Sequence, residues 1–500
     1  MDLERIDDLE TLRDLLRVSL KESERLKNEL KAAHEQLRGK DPAKAEQLAL
    51  KLAKVERQHA AALKALFGQK SERRPSDKKK GKARTPQTGH GPRRQLRLPV
   101  QPVLHQIADM NLQCKLCATR LTTWQDQFEE SDEIDFVAPQ VIIKRHKRQK
   151  YRCTCGGCIV TSPGPRKLFP KARYSINFAL HVVLQKYRYH MPLARQVKAF
   201  SSMGLDVTTA TLWDYLFAVY GLLEPVMSRL EEHLLQQPVM GIDETKWRLL
   251  KSEQRGKSAT WWVWVRRVQN AVHYTLDERR TKAVALRLLK DYTGTIIADG
   301  YFAYESAAKA NPELTLANCW SHARREVLPY EADPRGARVL RVIRRMYRLE
   351  AMAQKRGLSP PELLQWRQRK TRPLLEALFR WLHTLEIPST FELKSALQYI
   401  VKREKGLTHF LSAPLVSPDN NATERVIRGV VLGRKNHGGS RSKDGIRVAG
   451  LFYSLIDSAI LAGVEPGEYL EQAVAAALDK TTIPLPHELA IAEAPAPTAS

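Results

Sequence analysis

Apolar positions along the chain change period several times, and each change marks a different kind of element. Residues 3–66 read as helix. Leu9, Leu16, Leu30 and Leu37 recur at seven-residue spacing, with Ser23 breaking the series and Leu20 in between. Asp41-Pro42 stops that helix and starts another, because Asp caps a helix and Pro suits its first turn. The second helix carries Leu48, Leu52, Val55, His59, Ala62 and Leu66 at alternating steps of four and three. Two short seams of this kind predict a coiled coil or helical hairpin for self-association; the plainer reading is a pair packed on its own chain. Helical periodicity returns over 174–232. Within it Leu193 to Phe200, a turn at Gly204, and Thr208 to Leu222 have the lengths of a helix-turn-helix.

From residue 236 the pattern becomes that of strands. Pro238 to Trp247, Thr260 to Arg266 and Ala271 to Leu276 predict three strands, and Thr281 to Leu289 an amphipathic helix. Thr295-Ile-Ile-Ala-Asp299 predicts a buried strand ending on an acid and Gly300, and Leu314 to Cys319 a fifth strand. Three strands, a helix, a strand, a helix and a strand are the order of an RNase H-like domain. Arg-rich helices occupy 331–411, helix and short strand-like pieces follow to about 480, and Ala490 to Ser500 is Ala/Pro-rich. The expected fold class is therefore α/β, an RNase H-like catalytic domain with a helical insertion. The expected organisation is 1–69 coiled coil, 70–99 basic linker, 100–165 zinc-ribbon-like module, 166–235 helical DNA-binding region, 236–330 with 412–480 catalytic domain, 331–411 insertion and 481–500 disordered tail.

Charge narrows the function. The chain has 82 Lys+Arg against 55 Asp+Glu, a formal net charge of +27, and an excess spread over its length points to a polyanionic partner, DNA first. No uninterrupted apolar run is long enough to span a bilayer, and the acidic, heptad-like N-terminus is unlike a signal peptide. Residues 70–97 hold eleven Lys/Arg and two acids, a local balance of 11 − 2 = +9 interrupted by Pro, Gly, Ser and Thr. This composition cannot form a core and reads as a phosphate-neutralising linker, or one that only solubilises.

Five of the six cysteines cluster at Cys114, Cys117, Cys153, Cys155 and Cys158. Cys114-x2-Cys117 with Cys155-x2-Cys158 is a zinc-ribbon pattern across a gap of 155 − 117 = 38 residues, long enough for a hairpin of Glu133 to Val137 with Gln140 to Arg152. Cys153 is a spare thiolate that can replace Cys155, and free buried thiols are the other reading. Structural zinc without an open coordination position fits a reducing, cytoplasmic, bacterial setting close to the nucleoid. Lys144, Arg145, Lys147 and Arg148 beside the cluster suggest DNA contact.

Asp243 and Asp299, at strands one and four of that order, would lie side by side at one end of the sheet. Alone each is an ordinary turn or cap residue; together their repulsion favours a bound divalent cation. A third acid from a packed helix is supplied by Glu424 in Ser417-Pro-Asp-Asn-Asn-Ala-Thr-Glu424-Arg-Val-Ile-Arg428, where an i,i+4 pair with Arg428 is the competing reading. The spacings are 299 − 243 = 56 and 424 − 299 = 125, the second enlarged by the insertion.

Ordered short motifs carry a family resemblance over about residues 60–475. They are Leu66-Phe-Gly-Gln-Lys-Ser-Glu72, the Cys pairs, Lys186-Tyr-Arg-Tyr-His-Met-Pro-Leu193, Thr211-Leu-Trp213, Ile242-Asp-Glu-Thr245 and Ala298-Asp-Gly-Tyr301. They continue with Cys319-Trp-Ser-His-Ala-Arg-Arg325, Asn420-Asn-Ala-Thr-Glu-Arg-Val-Ile-Arg428, Gly433-Arg-Lys-Asn436 and Tyr453-Ser-Leu-Ile456. In this succession the chain resembles the transposases of the IS66 insertion-sequence family. The resemblance implies a DDE-type enzyme with Asp243, Asp299 and Glu424 holding two Mg²⁺ (or Mn²⁺) ions. Its substrates would be the element's terminal-repeat DNA and target DNA, and accessory proteins of the same element would be partners. Arg425, Arg428, Arg434 and Lys435 are the expected DNA contacts, and a homodimer or higher oligomer is expected. Cys153 and the polar His437-Gly-Gly-Ser-Arg run depart from the family pattern. The competing function is a transposase-derived DNA-binding regulator without chemistry; a third is an RNase H-like nuclease without joining activity. A tyrosine recombinase needs a nucleophilic Tyr with an Arg/His cluster, which nothing here picks out.

Overall fold

The computed structural model describes Arg25, Asn28, Ala32, 140–152, 159–250, 259–386 and 392–492. The chain divides into two compact units, Met1–Asp132 and Glu133–Ser500. In the first, Arg25, Asn28 and Ala32 are helical; both leucine seams of the expected coiled coil, the basic linker and all five clustered cysteines lie outside the described residues.

The second unit opens on a short antiparallel pair, β1 (Lys150–Arg152) with β2 (Ile159–Thr161). This shortens the second strand of the expected hairpin: of Gln140 to Arg152 only the last three residues are strand, and they pair with a strand C-terminal to them, while Glu133 to Val137 lies outside the described residues. Four helices follow, α1 (Ile176–Tyr187), α2 (Leu193–Ser202), α3 (Thr209–Leu223) and α4 (Val226–Leu235). Ser175 and Thr208 cap α1 and α3 by accepting from Phe178 N and Thr211 N, which satisfies first-turn donors left over by the helix ladder. Gly204 turns the chain between α2 and α3 at φ 80°, a conformation that favours glycine.

The central sheet contains β3 (Val239–Leu249), β4 (Ala259–Arg267), β5 (Val272–Asp277), β6 (Thr295–Ala298) and β7 (Thr315–Asn318), in the order β5-β4-β3-β6-β7. The first three strands are antiparallel neighbours, and β3, β6 and β7 run parallel. Helices α5 (Lys282–Leu289) and α6 (Phe302–Ala310) connect the later strands, and α7 (Trp320–Val327) leaves the last one. The fold is thus mixed α/β around a mixed sheet. Met240, Ile242, Val263, Val265, Ile296 and Ala298 are buried in it.

Helices α8 (Pro334–Lys355), α9 (Pro360–Trp366), α10 (Arg372–Thr384), α11 (Glu392–Lys402) and α12 (Glu404–Thr408) come next. They build a second core in which Ile343, Phe379, Leu397 and Phe410 join Ile297, Ala317 and Trp320 from the sheet side. Buried Arg367, on a π turn, pairs with Glu350 at 2.7 Å and donates to the carbonyls of Phe410 and Val416, so its charge is compensated.

The chain returns through α13 (Asn421–His437), α14 (Lys443–Ala462), α15 (Pro466–Leu478) and α16 (Pro486–Ala492). No strand is described after β7, which corrects the expected strand-like pieces; the left-handed Gly438 and Gly439 break the helix there instead. The expected tail from 481 is also shortened. Leu485 is buried and Glu488 pairs with Arg229 at 2.7 Å, anchoring α16. Helix α14 is apolar and long enough to cross a membrane, but two thirds of its most apolar window is buried inside the protein. Its Ser454 and Ser458 hydroxyls accept from Tyr274 N and Val272 N, each at 2.9 Å, and so cover the open edge of β5.

Candidate active site

Parallel register aligns the two aspartates. β3 pairs with β6 at Val239↔Thr295, Met240↔Ile296 and Gly241↔Ile297. The constant offset of 297 − 241 = 56 is that between Asp243 and Asp299, so continuing the register by two residues sets them abreast on neighbouring chain segments. Neighbouring strands lie about 4.8 Å apart, close enough for their carboxylates to interact. Asp299 follows the end of β6, where its Oδ1 accepts from Tyr301 N at 2.9 Å and its carbonyl accepts from Asn318 Nδ2 at 3.3 Å.

Helix α13 brings Glu424 to the same place. The approach is tight: a side chain at Gly241 on β3 would collide with Thr423 and Asn420 at the start of α13. Asn420 Nδ2 donates to Ile242 O at 2.8 Å, locking helix to strand one residue from Asp243. Burial raises Asp243 to about pH 7, reinforced by the carboxylates of Glu244, Asp299 and Glu424 and opposed by the hydrogen bond from Glu244 N. Its neighbours therefore repel its charge, although Asp243, Asp299 and Glu424 come from three separate elements. Such an all-oxygen donor set suits a hard divalent cation, which would relieve the repulsion.

Glu424 pairs with Arg325 on α7, from Nη2 to Oε1 at 2.6 Å. The i,i+4 pair with Arg428 expected as the alternative does not form. His322 Nδ1 lies 3.8 Å from Glu424 Oε1. Donor atoms of Cys319, His322 and Glu424 all lie within 4.8 Å of one another. The Cys319 thiol, however, accepts from Asn420 N at 3.2 Å, and burial pushes it up to about 11, so it serves the junction of β7 and α13 as a neutral thiol. Burial and Arg325 both lower His322, against the opposing pull of Asp299 and Glu424.

A further carboxylate, outside the expected three, acts on Asp243. Glu244 projects from the opposite face of β3 to Asp243, since neighbouring strand residues alternate. It accepts from Arg280 Nε at 2.6 Å and from the buried Tyr304 hydroxyl. Arg280 in turn lies 4.1 Å over the ring of Tyr301, whose backbone holds Asp299. The signal was present in Ile242-Asp-Glu-Thr245, but nothing local to it identifies Arg280 or Tyr304 as partners.

The expected DNA contacts divide. Arg425, Arg428 and Lys435 are exposed on α13, and Lys144, Arg145, Lys147 and Arg148 are exposed ahead of β1. Arg148 is tied to Ser162 O at 2.6 Å. Arg434 turns inward to Thr245 Oγ1 at 3.4 Å and to Lys246 O, so it braces α13 against β3. Cys114, Cys117, Cys153, Cys155 and Cys158 lie outside the described residues.

A family model described as "Transposase IS66 family" matches residues 171–448, which span every element of this site. The uncharacterized protein y4jD of Sinorhizobium fredii is 29% identical over 359 residues, covering 68% of this chain and 70% of the relative. The uncharacterized protein y4hP of the same organism is 28% identical over 361 residues, covering 66% of this chain and 64% of the relative.

Proposed function

This chain belongs to the IS66 transposase family, and from that premise we propose that it is a DDE-type enzyme that cuts and joins DNA. Asp243, Asp299 and Glu424 are its metal-holding carboxylates. The observation that carries the reading is the convergence of these three carboxylates from β3, the end of β6 and the start of α13, where burial first and then the neighbouring carboxylates lift Asp243. The strand order β5-β4-β3-β6-β7, with its antiparallel half and parallel half, supports an RNase H-like domain. The helices of 331–411 are then an insertion before the helix that bears the third acid.

Two Mg²⁺ or Mn²⁺ ions at these carboxylates would activate the attacking oxygen and stabilise the leaving one. The chain's own residues do the rest. Tyr301 N orients Asp299, Arg325 orients Glu424, and the Asn420–Ile242 bond sets helix against strand. Exposed Arg425, Arg428 and Lys435 would hold DNA phosphates beside the site. Terminal-repeat DNA is first cut by water, and the freed 3′-hydroxyl then attacks target DNA, with no protein nucleophile. Zinc at the cysteine cluster, self-association and accessory proteins complete the proposal on sequence grounds.

The test is Mg²⁺-dependent cleavage and strand transfer with duplexes carrying the element's ends. Asp299→Ala should abolish both and keep DNA binding. Cleavage that persists in this variant would sink the assignment. Binding without chemistry in the unaltered protein would favour a DNA-binding regulator, and cutting without joining a nuclease.

A further inference from the structure

Helix α8 buries one face in the core of the helical insertion and turns the other to solvent, and the two faces differ in kind. Val339, Ile343, Met346 and Leu349 are buried. Arg341, Arg344, Arg345 and Arg348 are exposed. Their positions i, i+3, i+4 and i+7 are those of one helix face, so residues three or four apart lie about 5–6 Å from each other between Cβ atoms. Exposed Arg338 extends the row by one turn and lays its guanidinium 4.2 Å over the Trp381 ring of α10.

Among the described residues no acid balances this face. Over Pro334–Lys355 the helix carries six Arg and one Lys against a single acid, Glu350. Glu350 is turned inward, where Arg367 holds it at 2.7 Å. Asp333, just before the helix, is held by Arg335 at 2.7 Å. The side chains of Arg341, Arg344, Arg345 and Arg348 form no ion pair or hydrogen bond among the described residues. Like charges three and four apart on a helix repel, and a face that served only solubility would interleave Glu with Arg. Uniform arginine therefore weakens the free helix slightly, and a bound polyanion removes the repulsion.

The face adjoins the carboxylate site. Tyr347, next to Arg348, meets Ser321 of α7 with the two hydroxyl oxygens 3.1 Å apart. The residue after Ser321 is His322, whose Nδ1 lies 3.8 Å from Glu424 Oε1. We propose that Arg341, Arg344, Arg345 and Arg348 form a track for the phosphates of duplex DNA, holding across the helical insertion the arm of substrate that leaves the carboxylates. The four residues span about 10 Å of helix axis. One DNA strand carries a charge about every 3.4 Å along its own axis, so about three phosphates fall within that span. Arginine offers each of them a planar fork of donors and stays charged at any working pH. An acidic protein matches the charge as well, but continuity with Glu424 through Ser321 and His322 favours the DNA processed there. The track rests on the DNA-processing function proposed above, and it orients the duplex without reading its sequence.

The test measures binding of the full chain to an element-end duplex and to an unrelated duplex across a salt series. The variants are R341Q/R345Q, R341K/R345K and, on exposed lysines of other helices, K290Q/K309Q. Gln and Arg have similar helix propensity, so the substitutions leave α8 intact. R341Q/R345Q should flatten the plot of log affinity against log salt by about two units, equally for both duplexes. R341K/R345K and K290Q/K309Q should keep the slope. The melting temperature of free R341Q/R345Q at low salt should match or exceed that of the unaltered chain, because like charges have been removed. An unchanged slope in R341Q/R345Q overturns the track and leaves the function standing. Equal flattening in K290Q/K309Q does the same, since net charge alone would then explain the effect, and so does a lower melting temperature, which would make the arginines structural. A loss confined to the element-end duplex would mean base reading and overturns a phosphate track. A polyglutamate peptide that binds through these arginines while the DNA slope is unaltered assigns the face to an acidic protein instead. An unaltered chain that binds no DNA overturns track and function together.

Discussion

Arg325 Nη2 donates to Glu424 Oε1 at 2.6 Å, linking α7 to the start of α13 across 424 − 325 = 99 residues of sequence. The pair fixes the orientation of the third carboxylate through its Oε1. Residues that orient metal ligands in this way typically contribute 10–100-fold to affinity or activity. Arg325→Gln is therefore expected to lower Mg²⁺-dependent cleavage by about that factor, mostly as weaker apparent Mg²⁺ affinity. Cleavage titrated against Mg²⁺ checks it; an unaltered midpoint and rate would remove Arg325 from the site's support.

The raised Asp243 carboxyl makes stability fall with pH. A carboxyl near 7 in the folded protein and 3.8 in its ordinary state binds its proton more tightly when folded. Its contribution is fully present below about pH 4 and is lost as pH rises through 7. Glu244 and Asp457 are raised too and act in the same direction, so the informative quantity is the difference made by Asp243→Asn. Without metal, melting temperature should fall from pH 5 to pH 8, and less steeply in the variant. Mg²⁺ or Mn²⁺ should restore stability chiefly above pH 7 in the parent alone. Parallel pH profiles with and without the substitution would contradict this account.

Gly241 permits the close approach of β3 and α13. Gly241→Ala places a methyl group against Thr423 and Asn420. Overpacking of this sort costs about 1–3 kcal/mol. Since the displaced element carries Glu424, cleavage should fall further than stability does. Chemical denaturation and cleavage rates at saturating DNA separate the two effects, and full activity in a destabilised variant would show that α13 can shift without consequence.

Glu244 is almost wholly buried and relies on Arg280 and Tyr304. Arg280→Ala leaves the Tyr304 hydrogen bond and removes the cation. The expected loss is about 1–3 kcal/mol, reduced from the figure for a fully buried pair because Arg280 is partly exposed. Adding Glu244→Gln should recover part of it, since no buried charge then remains. A double variant as unstable as Arg280→Ala alone would mean that packing on Tyr301, not charge, is what Arg280 contributes.

The secondary structure of the sheet was legible because its signals are local. Strands predicted over Pro238 to Trp247 and Thr260 to Arg266 appear as Val239–Leu249 and Ala259–Arg267. The helix predicted from Thr281 begins at Lys282. The stretch after Glu424 was less legible: apolar residues in α14 face protein on most sides, and burial all round erases the period that distinguishes helix from strand. The strand expected from Gln140 is only Lys150–Arg152, because its alternation extends beyond the residues that actually pair.

By itself the sequence determined the order of elements and the identity and succession of the acids, since periodicity, caps and ordered motifs are properties of neighbouring residues. It also determined the excess of positive charge. Tertiary structure decided which groups meet. Glu424 pairs with Arg325 instead of the Arg428 four residues along, Glu244 shares Arg280 and Tyr304, and the Lys186–Leu193 turn lies against Gly429. These contacts join residues tens to hundreds of positions apart, and their distances follow from how helices and strands pack, which no local pattern encodes.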